Sequence, residues 1–154
     1  MSEAATINAA TIHAGAVLIG ATALLILGPS GSGKSLTAWR LLHGGFAPGR
    51  FTRLVADDRA LLAASHGRLL VRPAPALAGL IELRGLGIRR LPHEPVAAVG
   101  RAVTLGVPEA PRLPTPETMT ICFQGIGVPH LTCKAGVDPL PLLAGWLAGT
   151  AAAD

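Results

Sequence analysis

The sequence predicts an α/β domain organised around a phosphate-binding loop, and three observations carry that prediction. The segment Gly28-Pro29-Ser30-Gly31-Ser32-Gly33-Lys34-Ser35 fits the spacing G-x-x-x-x-G-K-[ST]. The apolar run Ala23-Leu24-Leu25-Ile26-Leu27 precedes it at strand length, and Leu36 to Leu42, a good helix former, follows it. Strand, glycine loop and helix thus stand in the order that aims loop amides and a helix N-terminus at anionic oxygen. Lys34 is one of only 2 lysines among 13 basic residues, the rest being arginine. The compact ammonium sits in the slot where a point charge reaches a β/γ-phosphate, and Ser35 is placed to ligand Mg²⁺.

The elements follow in chain order. Residues 1–11 are small and polar and read as loosely held. Ala14 to Ile19 and Ala23 to Leu27 form a hairpin with Gly20 at the turn. The loop helix ends near Gly44-Gly45, a C-cap signal, and Pro48-Gly49 is a loop. Thr52 to Ala56 is a strand that runs into Asp57-Asp58. Leu61 to Ala64 and Arg68 to Arg72 flank Ser65-His66-Gly67 as a second hairpin. Leu80 to Leu83 is a strand leading into Arg84-Gly85-Leu86-Gly87, and Pro95 to Leu105 is an apolar strand region. Pro108 to Pro116 is a proline-rich loop holding Arg112. Met119 to Phe123 and Val128 to Thr132 are short strands. Leu140, Leu143, Trp146 and Leu147 recur at helical spacing, so the chain closes with an amphipathic helix.

Composition bounds the rest. At 154 residues the chain reads as one domain with a real core. Half the residues are hydrophobic but only 3% are aromatic and Tyr is absent, so the core is built from Ala, Leu, Val and Ile. The net charge of +4 comes from scattered arginines with few aromatics to stack bases. It reads as solubility and attraction to phosphates or an acidic partner, not as nucleic-acid binding. Cys122 and Cys133 lack metal spacing with histidine and read as reduced, partly buried thiols of a cytoplasmic protein. The first residues lack the positive n-region of a secretory signal. Ala14 to Leu27 is short for a membrane span and is split by Gly20-Ala21-Thr22, so no membrane association is expected.

A phosphate loop alone implies only a bound nucleotide. Phosphoryl transfer also needs a carboxylate near the γ-phosphate. Asp57-Asp58 closes a strand after the loop helix, where such a group is delivered. Adjacent side chains of a regular strand face opposite sides, so the two carboxylates can share a site only if the strand ends or kinks there. One would then orient Mg²⁺ while the other accepts a proton.

Three segments together, Gly-Pro-Ser-Gly-Ser-Gly-Lys-Ser, Leu54-Val55-Ala56-Asp57-Asp58-Arg59 and Glu82-Leu83-Arg84-Gly85-Leu86-Gly87-Ile88, resemble the bifunctional HPr kinase/phosphorylase family. The resemblance covers roughly residues 12 to 131 and is similar to a short form with only the catalytic domain. It implies a P-loop α/β kinase fold resembling phosphoenolpyruvate carboxykinase: a mixed sheet with an N-terminal hairpin, the loop helix and a C-terminal helix, usually assembled as hexamers. It implies ATP and Mg²⁺, with the small phosphocarrier protein HPr as protein substrate. His13, fifteen residues before Gly28, matches the active-site histidine beside the catalytic aspartate. Lys34 and Ser35 would hold phosphates and Mg²⁺, and Asp58 matches the base for the acceptor serine. Glu82 matches a metal-associated carboxylate, and with Asp58 as the base Asp57 is left as the carboxylate of the pair that faces the metal. Ile81 to Arg90 matches a mobile stretch serving both reactions, and Arg112 the arginine that stabilises charge on the transferred group.

Departures mark the reverse reaction, in which phosphate attacks phosphoserine and releases pyrophosphate. The family's C-terminal glycine-arginine loop corresponds here to Leu131-Thr132-Cys133-Lys134-Ala135-Gly136, which lacks the arginine. Gly44 to Arg53 is longer than a compact connection needs, and the terminal helix is short. Two other readings stay open: a small-metabolite or nucleotide P-loop kinase, and a nucleotide-binding regulator without transfer activity.

Overall fold

The computed structural model describes residues 10–44 and 50–148. The expected loose N-terminus and the Gly45 and Pro48-Gly49 signals fall mostly outside those residues. Ala10 and Thr11 do not: they already belong to a strand, which corrects the expectation that the loose segment reaches residue 11.

Strand β1 (Ala10–Ile19) turns at Gly20 (φ 70°) into β2 (Thr22–Leu27). The phosphate loop leads to α1 (Lys34–His43), closed by Gly44, whose N–H donates to the Arg40 carbonyl. Then come β3 (Thr52–Ala56), β4 (Arg59–Ser65) and β5 (Arg68–Pro73), the last two joined by a His66-Gly67 turn with both φ angles positive. A short 3₁₀ turn precedes β6 (Leu80–Leu83), β7 (Gly87–Arg90) and the long β8 (Ala97–Val107). The chain ends through β9 (Thr120–Phe123), β10 (Ile126–Lys134) and α2 (Pro139–Ala148).

The sheet is mixed. β2 runs parallel to β8, and β8 runs parallel to β10, while the other pairings are antiparallel. Because β2 pairs with both β1 and β8, the order β2-β1-β4-β5-β8 closes on itself. β10 and β9 extend the sheet beyond β8, and β6–β7 form a separate two-stranded sheet. A closed ring leaves its strands few open edges.

Two cores result. One collects inward residues of the ring, including Ala14, Ala16, Ala23, Leu25, Ala60, Leu62, Leu69, Val71 and Ala102. The other lies between the sheet and the helices, with Val17, Leu24, Ile26, Ala38, Leu41, Leu105 and Leu143. β2 explains its own unbroken apolar run: Ala23 and Leu25 face the first core, while Leu24 and Ile26 face the second. The terminal helix buries Leu143 fully, and Leu140, Trp146 and Leu147 pack partly against the helix-side core, as their spacing implies.

The sequence did not expose β7, whose four residues are all exposed and lack an alternating pattern. Nor did it separate the cysteines: both are free, Cys133 buried as expected but Cys122 exposed on β9.

Leu25 is fully buried between β1 and β8. Leu25→Ala should therefore lower unfolding free energy by about 2–5 kcal/mol, measured by chemical denaturation. A loss below that range would indicate that the ring core is loosely packed.

Candidate active site

The loop between β2 and α1 is held open by glycines in left-handed conformations: Gly28 (φ 147°), Gly31 (φ 83°) and Gly33 (φ 95°). A Cβ on Gly28 would lie 2.6 Å from Ser32 Oγ and 2.8 Å from the Leu105 carbonyl, so no side chain fits there. Gly33 caps α1 with no side-chain hydrogen bond, so the first amides of the helix stay available to an anion. The Ser32 hydroxyl, packed under Gly28, is a buried polar group without a partner among the described residues. Lys34 Nζ donates to the carbonyls of Gly28 (2.8 Å) and Pro29 (3.1 Å), folded back on its own loop.

β3 and β4 run in succession along one edge of β1. β3 pairs with residues 16–19 and β4 with residues 10–13. Asp57 and Asp58 are the break between them. The Arg59 N–H donates to the Asp57 carbonyl, the Ala14 N–H donates to the Asp58 carbonyl, and Asp58 takes a left-handed φ of 69°. This kink does what a regular strand cannot: it brings both carboxylates to the same side.

Asp57 is buried, 4% exposed. Its Oδ1 accepts from the Ser35 hydroxyl at 2.7 Å, and its Oδ2 from the Glu82 main-chain N–H at 3.2 Å. Burial holds this carboxyl above the usual carboxylate range. The hydrogen bonds from Ser35 and Glu82 pull it down, and the negative charges of Asp58 and Glu82 push it up. Asp58 is exposed, with Oδ1 3.8 Å from His13 Nδ1. The Glu82 carboxylate is also exposed, so what fixes this residue is its backbone.

Thus the structure brings together His13, Asp58, Asp57, Ser35, Lys34 and Glu82. Arg112 stays apart in the exposed 108–116 loop, with no ion pair among the described residues. Sequence reasoning did not single out Gly15, which lies beside Asp57: a Cβ there would stand 3.9 Å from its Oδ1, an ordinary contact. An isolated glycine inside a strand was the available signal. A cleft of about 130 Å³ opens beside the loop, between Gly31-Ser32, Gly106 and Cys133 to Val137. Of the Leu131 to Gly136 stretch, Cys133 to Gly136 therefore line the cleft, and its one cation, Lys134, stands 3.9 Å from Glu109.

Oxygen donors such as Ser35 and Asp57 suit Mg²⁺, which takes one or two protein ligands and completes its shell with phosphates and water. Among the described residues no three His, Cys, Asp or Glu side chains converge on a metal site.

The sequence model of the HPr Serine kinase C-terminal domain family matches residues 5–92. The chain belongs to this family. The matched stretch holds the phosphate loop, the kink and the β6–β7 hairpin, while Arg112 lies beyond it. Among curated relatives, an HPr kinase/phosphorylase of Streptococcus thermophilus is 43% identical over 79 residues, 51% of this chain and 24% of the relative. One from Limosilactobacillus reuteri is 42% identical over 79 residues, 51% of this chain and 23% of the relative. The matched part thus spans about a quarter of those proteins' length. The solved Hpr(Ser) kinase/phosphatase from Coxiella burnetii superposes with a TM-score of 0.69 at 28% identity, covering 90% of this chain and 93% of that one. The likeness therefore extends beyond the stretch that the family model matches. Among the described residues no helix is long and apolar enough to cross a membrane.

The burial of Asp57 yields a test. Its carboxyl is raised in the folded protein, so the folded state holds this proton more tightly than the unfolded chain does. Stability from this group is full below the ordinary carboxylate pKa and is lost as pH rises through the raised one. In the metal-free protein, Asp57→Asn should be more thermostable than wild type at pH 7, with the gap closing as pH falls to 4. Melting midpoints across that range check the sign; a variant less stable at pH 7 would contradict it.

Proposed function

We propose that this chain is an ATP-dependent protein serine kinase acting on HPr. The observation that carries this reading is the division of labour at the kink. One carboxylate is buried against the phosphate-loop serine, and its neighbour is exposed beside a histidine.

The loop amides from Gly28 to Ser35 and the N-terminus of α1 would receive the nucleotide phosphates. Lys34 would leave the Gly28 and Pro29 carbonyls to contact them. Ser35 and Asp57, with Glu82 adjoining, would hold Mg²⁺, which neutralises phosphate charge when bound. Asp57 also orients the Ser35 hydroxyl, because the O–H donated to Oδ1 leaves the serine lone pairs free to face a cation. Asp58, exposed at the strand break, would accept the proton of the incoming seryl hydroxyl. His13 would hold Asp58 in place. Arg112 would reach the transferred group from its loop. Positioning and electrostatics carry most of such a reaction, because phosphoryl transfer requires little covalent work from the protein.

The kinase direction is the one assigned. In the stretch corresponding to the family's glycine-arginine loop, the cation beside the cleft is Lys134, drawn toward Glu109. An ammonium does not offer the fork by which arginine holds phosphate in two-point contact.

Incubation of the chain with ATP, Mg²⁺ and HPr, followed by mapping of the modified residue, tests the reading: label on a serine of HPr supports it, and label on a small molecule does not. Lys34→Ala should abolish ATP-dependent labelling. Asp58→Asn should lower kcat by about 10²–10⁴-fold while a fluorescent-nucleotide titration gives unchanged affinity. Full turnover in Asp58→Asn would remove the proposed base.

A further inference from the structure

The acceptor side of the site has a chemistry of its own. The β1–β4 register sets His13 opposite Arg59, and the β4–β5 register sets Leu61 opposite Arg72. Directly opposed residues share a face, as do alternate residues along a strand. His13, Arg59, Leu61 and Arg72 therefore lie on one face, with the two arginines diagonal to each other. It is the face of the carboxylates. His13 sits 3.8 Å from Asp58, and Gly15, two residues along β1, looks at Asp57.

Both arginines are exposed, and Leu61 between them is half-buried. Neither guanidinium has an ion-pair partner among the described residues, whereas Arg40 is tied to Asp138 and Arg53 to Glu94. Like charges in neighbouring cross-strand positions repel, and an anion laid across them relieves that repulsion. The arginines stand on separate strands about 7–8 Å apart at their backbones. That spacing suits carboxylates on successive turns or alternate residues of a polypeptide better than one compact oxyanion, and a chain of net charge +4 favours an acidic partner.

The geometry points to Arg59 and Arg72 as the anchor for an acidic segment of the protein acceptor, laid along the β1–β4–β5 face beside the hydroxyl that Asp58 would deprotonate. This rests on the proposed kinase reading for its location, not for its chemistry. The arginines are positioning residues: they touch the acceptor's flank, not the reacting atoms.

The test uses two double variants, Arg59→Glu with Arg72→Glu, and Arg59→Lys with Arg72→Lys, each checked for native circular dichroism; alanine replaces glutamate if the first does not fold. In steady-state transfer to HPr, the glutamate pair should raise the KM for HPr by about tenfold and flatten its salt dependence. The KM for ATP should stay within about twofold, and the lysine pair should recover most of the loss. In parallel, a serine peptide flanked by glutamates is titrated into wild type and the glutamate pair, a measurement that needs no turnover. Binding to wild type that vanishes in the variant supports the anchor. An unchanged KM for HPr overturns the anchor while leaving the kinase reading intact. If wild type does not label HPr, the kinase reading falls and the peptide decides alone: equal binding to both proteins overturns the anchor. Loss of inorganic phosphate binding with peptide binding unaltered also overturns it, because the face would then be a phosphate pocket.

Discussion

One carboxylate ties the site together. Asp57 has two oxygens and two donors, and the donors come from segments far apart in the chain: the Ser35 hydroxyl in the first turn of α1 and the Glu82 amide within β6. In so buried a position an acceptor left unmatched is expensive, so the helix, the strand break and the hairpin are held to one arrangement. The second strand of the hairpin is wholly exposed. Its first strand holds it beside the loop helix through Asp57, through Ile81, which is buried in the helix-side core, and through Leu83, which packs partly against that core.

The ring of strands explains why a two-residue interruption can be tolerated at that point. β3 and β4 lie along the same edge of β1, and each is anchored independently, β3 by its own pairing to β1 and β4 by pairings to both β1 and β5. A kink between them loses few ladder hydrogen bonds, and two are recovered by the Arg59 and Ala14 amides. The left-handed φ of Asp58 is a conformation that aspartate accepts more readily than most side chains, because its short polar group fits against its own backbone. Sequence, strain and chemistry agree: the residue that tolerates the kink is also one that can take a proton.

Much of this was legible in the sequence where local chemistry dictates structure. The phosphate loop is eight contiguous residues whose glycines have no substitute, and both hairpin turns carry glycine where positive φ is required. The carboxylate pair was legible as a conditional: both could serve one site only if the strand broke, and it does. What stayed hidden depends on partners distant in sequence. Nothing in Gly87–Arg90 announces a strand, because its pairing with β6 and not its own pattern makes it one. Closure of the ring through β8 requires β2 and β5, far apart in the chain, both to find it. Gln124 drew no reading from the sequence, yet its amide accepts from the Ala64 N–H and donates to the Leu62 carbonyl, extending the edge of β4 with a side chain. The role of Glu82 was assigned to its carboxylate, while the structure fixes it through its backbone.

The resting posture of Lys34 has a thermodynamic consequence. Its ammonium already has two peptide oxygens in hand, so any arriving anion competes with the loop's own carbonyls for it. Observed affinity is then a difference between two solvation shells, and weakly coordinating ions such as chloride gain almost nothing by entering. A polyphosphate able to engage the helix amides and the ammonium at once would have the advantage over that internal competitor, so the loop would discriminate by valence before any base or sugar is recognised.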